Sequence, residues 1–165
     1  MFAAVDVTAH PQFVYVAAKG GNIAAENALR GTTRKIDFAT MPRVTFTPPT
    51  IASVGITEAE ARKEGRPVIT SVLPLDAVPR ALVDHETDGV VKLVADESSG
   101  RLLGAHILAD GAGDVIQAAV MAIKYRATID EIAETYHPYL TMAEAFKLAA
   151  IGFGKDVKML SCCAV

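Results

Sequence analysis

Apolar and polar positions follow two different periods along this chain, and each change of period marks an element. Gly89–Ala95 (GVVKLVA) and Arg101–Ala109 (RLLGAHILA) are β-rich and apolar, and Asp96-Glu97-Ser98-Ser99-Gly100 between them is turn chemistry. Together they predict a hairpin. Downstream the period lengthens. Within Gly111–Ala127, the residues Val115, Ile116, Ala119, Val120 and Ile123 fall on one helical face. Three capping boxes follow the pattern Thr-x-x-Glu: Thr57–Glu60, Thr128–Glu131 and Thr141–Glu144. They predict a helix over 58–64 stopped by Gly65, and further helices from about Ile129 and Met142.

The first half is less regular. Met1–Asp6 reads as a short strand ending on an acid, and Gln12–Leu29 as an Ala-rich helix with Pro11 at its first position. Gly20-Gly21 weakens that helix by about 1 kcal/mol per glycine relative to Ala. With Ala17, Ala18, Ala24 and Ala25 they form a small-residue face suited to close packing, or to a cofactor approached by backbone. Gly31–Met41 is polar and reads as a linker, which divides the chain into 1–30, 31–41 and 42–165. Strand-like pieces at Val44–Phe46 and Ile51–Val54 are interrupted by Pro48-Pro49, which excludes one continuous central strand. Pro67–Leu75 is another strand candidate, and Pro79–Asp88 reads as an irregular surface loop. Antiparallel strands with segregated helices predict an α+β fold, an antiparallel sheet packed with helices.

Composition narrows the function classes. The chain has 165 residues, 51% of them hydrophobic, enough for one domain with a real core. No apolar run approaches the roughly 20 residues of a membrane span. A net charge of −3 and scattered lysines and arginines do not form a nucleic-acid footprint. The sequence holds no G-x-G-x-x-G, no P-loop, no C-x₂-C pair and no G-x-S-x-G. Its two cysteines are adjacent, so they close no useful disulfide loop, and they fit a reducing, cytoplasmic setting.

Those cysteines, Cys162 and Cys163, carry the strongest chemical signal. Two neighbouring thiolates near a chain end suit a soft metal such as Cu(I), Zn(II) or Hg(II), and its onward transfer by ligand exchange. A closed four-ligand zinc site would need ligands this chain does not offer nearby. A prenylation box at 162–165 is disfavoured by Cys163 and by the lack of a preceding basic segment. His137-Pro138-Tyr139 supplies an imidazole that titrates near neutrality and a phenol. Glu144 is a carboxylate within reach of His137 in sequence, with a second, local explanation as the acid of a capping box. Taken alone, a His-Pro-Tyr loop is more often structural than catalytic. His10, His85 and His106 lack a site-like spacing, and Arg80 is read as an interface ion-pair former.

Several of these stretches together resemble the mercuric reductases among the pyridine nucleotide–disulfide oxidoreductases. The residues that carry the resemblance are Pro11–Ala18, Pro42–Gly55 with Thr57–Ala61, Val78–Ala81, Pro138–Glu144, Lys147–Ala150, Lys155–Lys158 and Leu160–Ala164. The resemblance implies a C-terminal fragment or truncated form: a remnant of an FAD-binding domain at 1–30, then a dimerisation domain at 42–165. It implies a homodimer in which Cys162 and Cys163 take up Hg(II) and Tyr139 lines an inner mercury site. Asp6 matches an acid that contacts the flavin ribityl chain. FAD and NADPH belong to the family, with their binding domains upstream of this sequence or on a separate chain. The apolar face over Val115–Ile123 is expected to remain for a partner subunit.

The chain departs from that pattern at Val5, where the family has Gly. It departs again at His137, which resembles the acid/base His-Pro of the lipoamide and glutathione branches. Those branches carry a Glu five residues after the His, where Met142 stands here. The alternatives are a standalone dimerisation or soft-metal-binding module, and a fragment of a dihydrolipoamide-dehydrogenase-like enzyme.

Overall fold

A computed structural model describes residues 1–155. The chain divides into two compact units, Met1–Phe38 and a second beginning at Ala39.

The first unit is built on helix α1, Val14–Arg30. Its start is set by Phe13 rather than Pro11: the Phe13 carbonyl accepts from Val16 and Ala17 at 2.9 and 3.0 Å, and Pro11 lies outside the helix. Gly31, at φ 66°, ends it in the left-handed conformation that glycine adopts freely. Asn27 then ties the following chain down, accepting from Thr32 Oγ1 (2.6 Å) and Arg34 N (3.0 Å) while its Nδ2 donates to the Arg34 carbonyl. The strand predicted at Met1–Asp6 is absent. Val5–Thr8 form a 3₁₀ turn closed by Thr8 Oγ1 on the Val5 carbonyl at 2.7 Å. A strand needs a neighbour for its backbone groups, and none of the described residues of this unit provides one. The close packing expected at Gly20 and Gly21 is also not seen, since a Cβ at either would meet nothing within 4 Å.

The second unit is the α+β sandwich the pattern predicts. Its strands are β1 (Arg43–Thr45), β2 (Thr50–Gly55), β3 (Val68–Pro74), β4 (Val90–Asp96) and β5 (Leu102–Ala109). They pair antiparallel in the order β1-β2-β5-β4-β3. The helices are α2 (Glu58–Lys63), α3 (Pro79–Asp84), α4 (Ala112–Lys124), α5 (Ile129–Glu134) and α6 (Ala143–Ile151). Because side chains alternate across a strand, register decides the core. One cross-strand row runs Val44–Ala52–Ile107–Val91–Leu73, and the next Val54–Ala105–Leu93–Ser71. Every member but Val44 is buried, beneath α4 on the β2–β5 side and α6 on the β3–β4 side.

The opposite face carries Arg43–Ser53–His106–Lys92–Val72 in one row. Here α2 docks through charge: Glu58 pairs with Lys92 at 2.5 Å and with Arg62. The Lys92 hydrogen bond holds the Glu58 carboxyl below its ordinary range. The capping box at Thr57 and Glu60 is present as predicted. Gly65 then donates to the Arg62 carbonyl and Arg66 to that of Ala61, which closes the helix end. His106 is half-buried, its Nε2 3.2 Å from the Ile56 carbonyl, so it fastens the chain crossing above β5. That crossing explains Gly104: a Cβ there would lie 2.0 Å from the Ile56 carbonyl oxygen.

Pro79–Asp88 is not the irregular loop predicted. Pro79 takes the first position of α3, where its missing N–H costs nothing, and Val78 and Ala81 are buried. Arg80 pairs with Asp84 at 2.6 Å, one turn along the same helix, so its ion pair is internal to α3.

At the β4–β5 hairpin, Asp96 accepts from Ser98 Oγ (2.7 Å), Ser99 N (2.9 Å) and Ser99 Oγ (2.7 Å). Led by Ser98, these donors hold its carboxyl down to about 2. A depressed folded-state value means stabilisation that is present above the ordinary carboxylate range and lost as pH falls through about 2. Urea unfolding between about pH 4 and pH 2 should therefore show a steeper loss for wild type than for Asp96→Asn; parallel curves would remove Asp96 from that role. Gly104→Ala should cost about 3 kcal/mol, the upper part of the range for overpacking, because the clash is with backbone and no side chain can yield. A thermal midpoint within a degree of wild type would contradict that crossing.

Candidate functional site

Helices α4, α5 and α6 enclose a groove of about 600 Å³ in the second unit. Its floor and walls include Ala118, Ala122, Tyr125, Ile132, His137 and Phe146. The α5 wall is fixed by a reciprocal cap. Thr128 Oγ1 accepts from Glu131 N at 3.2 Å, and Glu131 Oε2 accepts from Thr128 N at 2.7 Å. The Thr128 backbone donor, with its hydroxyl, keeps the Glu131 carboxyl below its usual range, so the groove has a firmly anionic edge.

His137 follows α5 and lines this groove. Its Nδ1 lies 3.0 Å from the Thr135 carbonyl. A carbonyl only accepts, so Nδ1 donates, and the neutral ring keeps its lone pair on Nε2. The ring also packs against Phe146 of α6, with centroids 6.1 Å apart. An oriented imidazole is thus present, and its orienting partner is a backbone carbonyl two residues before it. Tyr139 sits in the same turn and is 64% exposed. Thr141 Oγ1 donates to the Pro138 carbonyl at 2.9 Å, and Leu140 has φ 59°.

The capping box expected at Thr141–Glu144 does not form. The helix begins one residue later than the box requires: Met142 occupies the N-cap with helical angles, and Thr141 is turned toward Pro138. Glu144 therefore falls at the second helical position rather than the third. Its side chain is buried at 5% exposure, and Oε2 has no hydrogen-bond partner among the described residues.

The apolar face of Val115, Ile116, Ala119 and Val120, expected to be left for a partner, is consumed by the chain's own sheet. A different stripe of α4 remains open: Met121 is 43% and Tyr125 68% exposed, beside Ala118 and Ala122. Its spacing of three and four residues was readable in the sequence but was hidden beneath the stronger apolar stripe.

Asp6 is exposed in the 3₁₀ turn of the first unit. Cys162 and Cys163 lie outside the described residues. Among the described residues no three His, Cys, Asp or Glu side chains gather as a metal site, and no helix is long and apolar enough to cross a membrane.

Residues 41–150 match the family model described as the dimerisation domain of pyridine nucleotide-disulphide oxidoreductases. Over 164 residues the chain is 57% identical to mercuric reductase of Lysinibacillus sphaericus and 58% identical to that of Staphylococcus aureus. In each case this is 99% of this chain and 30% of the relative, so the chain spans about a third of the length of these relatives. Among solved structures, LpdA from Mycobacterium tuberculosis superposes with a TM-score of 0.82 at 30% identity, covering 90% of this chain and 32% of that one. The HOCl-induced flavoprotein disulfide reductase RclA from Escherichia coli also gives 0.82, at 28% identity and covering 90% and 34%.

Phe146 joins the core to the His137 turn, so Phe146→Ala should cost about 3–5 kcal/mol. Tyr139→Phe should stay within about 0.5 kcal/mol of wild type, as expected for an exposed side chain. Denaturant unfolding of the two variants checks both, and similar costs would refute the division between them.

Proposed function

This chain belongs to the pyridine nucleotide-disulphide oxidoreductases through their dimerisation domain, and from that membership we propose that it is the non-catalytic pairing module of a mercury(II)-reducing system. The observation that carries this reading is the identity of 57–58% to mercuric reductases over 99% of the chain. The dihydrolipoamide-dehydrogenase-like alternative, favoured by His137 and disfavoured by the cysteine pair, stands second.

In this reading Hg(II) is cargo. Cys162 and Cys163 each lose a proton and form one Hg–S bond, the affinity coming from a soft cation meeting soft thiolates. Release proceeds by exchange with another thiolate pair, with no change in oxidation state. Tyr139, exposed in the turn before α6, is the phenol that faces the passing ion. His137, with its Nε2 lone pair free in the neutral ring, is the available proton acceptor beside that turn.

Electrons for reduction come from FAD and NADPH in the family. Among the described residues, Gly55, Gly89 and Gly104 leave no room for either group, since a Cβ at each would meet a main-chain carbonyl at 2.0–2.1 Å and these close approaches are filled by the chain's own backbone. Asp6 would meet a flavin only where a further domain completes the first unit.

Two measurements test the reading. Sedimentation of the 165-residue chain at micromolar concentration should give a dimer. Titration should show roughly one tightly held Hg(II) per chain, abolished in Cys162→Ala/Cys163→Ala. Equal binding by wild type and variant would remove the tail from the metal role, while leaving the pairing role to the sedimentation result.

A further inference from the structure

His137 holds one nitrogen that nothing in the described fold uses. Its Nδ1 donates to the Thr135 carbonyl at 3.0 Å, and Nε2 has no partner among the described residues. The ring is held further by Phe146, with centroids 6.1 Å apart. Metal-ligating histidines ordinarily anchor their other ring N–H in this way, because a carbonyl or carboxylate there fixes both tautomer and ring plane. The same ring lines a groove of about 600 Å³ that Glu131 and Glu134 also line, with no cationic side chain beside them among the described residues. One nitrogen is no metal site by itself, and no three ligand side chains gather among the described residues. The two ligands this arrangement lacks are the two thiols the chain carries after α6.

We propose that Nε2 of His137 is a third ligand to Hg(II) held by Cys162 and Cys163, making a site of two sulfurs and one nitrogen at this groove. The inference rests on the cargo role proposed above and goes beyond it by giving the imidazole a bond to the ion. Chain length permits it. Helix α6 begins six residues after His137 and rises about 14 Å over its nine residues. The ten residues 152–161 span up to about 33 Å when extended, more than enough to return along α6. Coordination chemistry favours it as well. Adjacent cysteines, with Cα atoms about 3.8 Å apart, grip an ion from one side and bend the S–Hg–S angle away from linear. A bent pair of thiolates leaves a position open, and a neutral imidazole is a donor suited to fill it. Each thiol gives up a proton to water as its Hg–S bond forms. The Hg–N bond is dative, Nδ1 keeps its proton, and mercury stays Hg(II) throughout. An incoming thiolate displaces Nε2 first, so the ion can be passed on without breaking both Hg–S bonds at once.

The test is X-ray absorption at a mercury edge on the 165-residue chain loaded with an equimolar amount of Hg(II). Wild type is compared with His137→Phe and with the control His85→Asn. His85 takes left-handed backbone at the end of α3, a conformation Asn also adopts. Wild type and the control should show two sulfurs and one imidazole nitrogen around the ion, and His137→Phe the sulfurs alone. A nitrogen that survives in His137→Phe overturns this inference and leaves the cargo role standing. So does a wild type that binds Hg(II) through sulfur only. A wild type with no sulfur-bound Hg(II) overturns both.

A second arm uses His137→Gln, which keeps a polar side chain in the turn. Its retention of Hg(II) against a titrated monothiol should fall roughly tenfold, the scale of losing a group that supports a metal site. A purely structural His137 would shift the urea midpoint and leave retention unchanged, and that outcome overturns the ligand role. The wild-type spectrum decides the question even where neither variant folds, since a missing imidazole shell is a refutation by itself.

Discussion

The burial of one face of the antiparallel sheet beneath α4 and α6 is the constraint on which the rest of this structure depends. Two cross-strand rows, Val44–Ala52–Ile107–Val91–Leu73 and Val54–Ala105–Leu93–Ser71, point the same way only because β2, β5, β4 and β3 hold one register. A slip of one residue in any of them would turn its apolar set outward. The Asp96 turn and the chain crossing at Gly104 both pin that register near the start of β5. Burying such rows stabilises by about 25 cal/mol per Å² of apolar surface, a non-directional gain that becomes a specific fold through register and crossing points.

The groove is a consequence of that arrangement. With α4 committed to the β2–β5 side and α6 to the β3–β4 side, α5 and the turn after it must bridge them. This brings His137 against Phe146 and beside α4. The imidazole is oriented by the Thr135 carbonyl, and the nearby acid in sequence, Glu144, is spent inside the fold. Of the two roles weighed for Glu144, the capping role fails because α6 starts one residue late. Its carboxylate is instead a buried acceptor of a kind native proteins carry sparingly.

Much of the fold was legible wherever one physical signal dominated. The hairpin was readable because turn chemistry separates two apolar runs. The boxes at Thr57 and Thr128 were readable because a hydroxyl and a carboxylate three residues apart satisfy each other's backbone donors without help from the rest of the molecule. Signals failed where they were incomplete or shared. Met1–Asp6 had strand composition and no partner strand. Pro79–Asp88 looked polar and irregular, yet Pro79 starts a helix and Ala81 is buried. In α4 the apolar period was read correctly, but which of two stripes faces inward depends on where the sheet lies.

By itself, the sequence determined the α+β class, the hairpin, two of three capped helices and the thiol pair at 162–163, because each follows from covalent neighbours and short-range hydrogen bonding. Only the tertiary structure decided that Val115, Ile116, Ala119 and Val120 belong to the core while Met121 and Tyr125 stay open. It also decided that Thr135 rather than Glu144 orients His137, and that a glycine is required at 104. Those outcomes turn on which surfaces distant segments bring together, and periodicity along one helix or strand carries no information about what lies across from it.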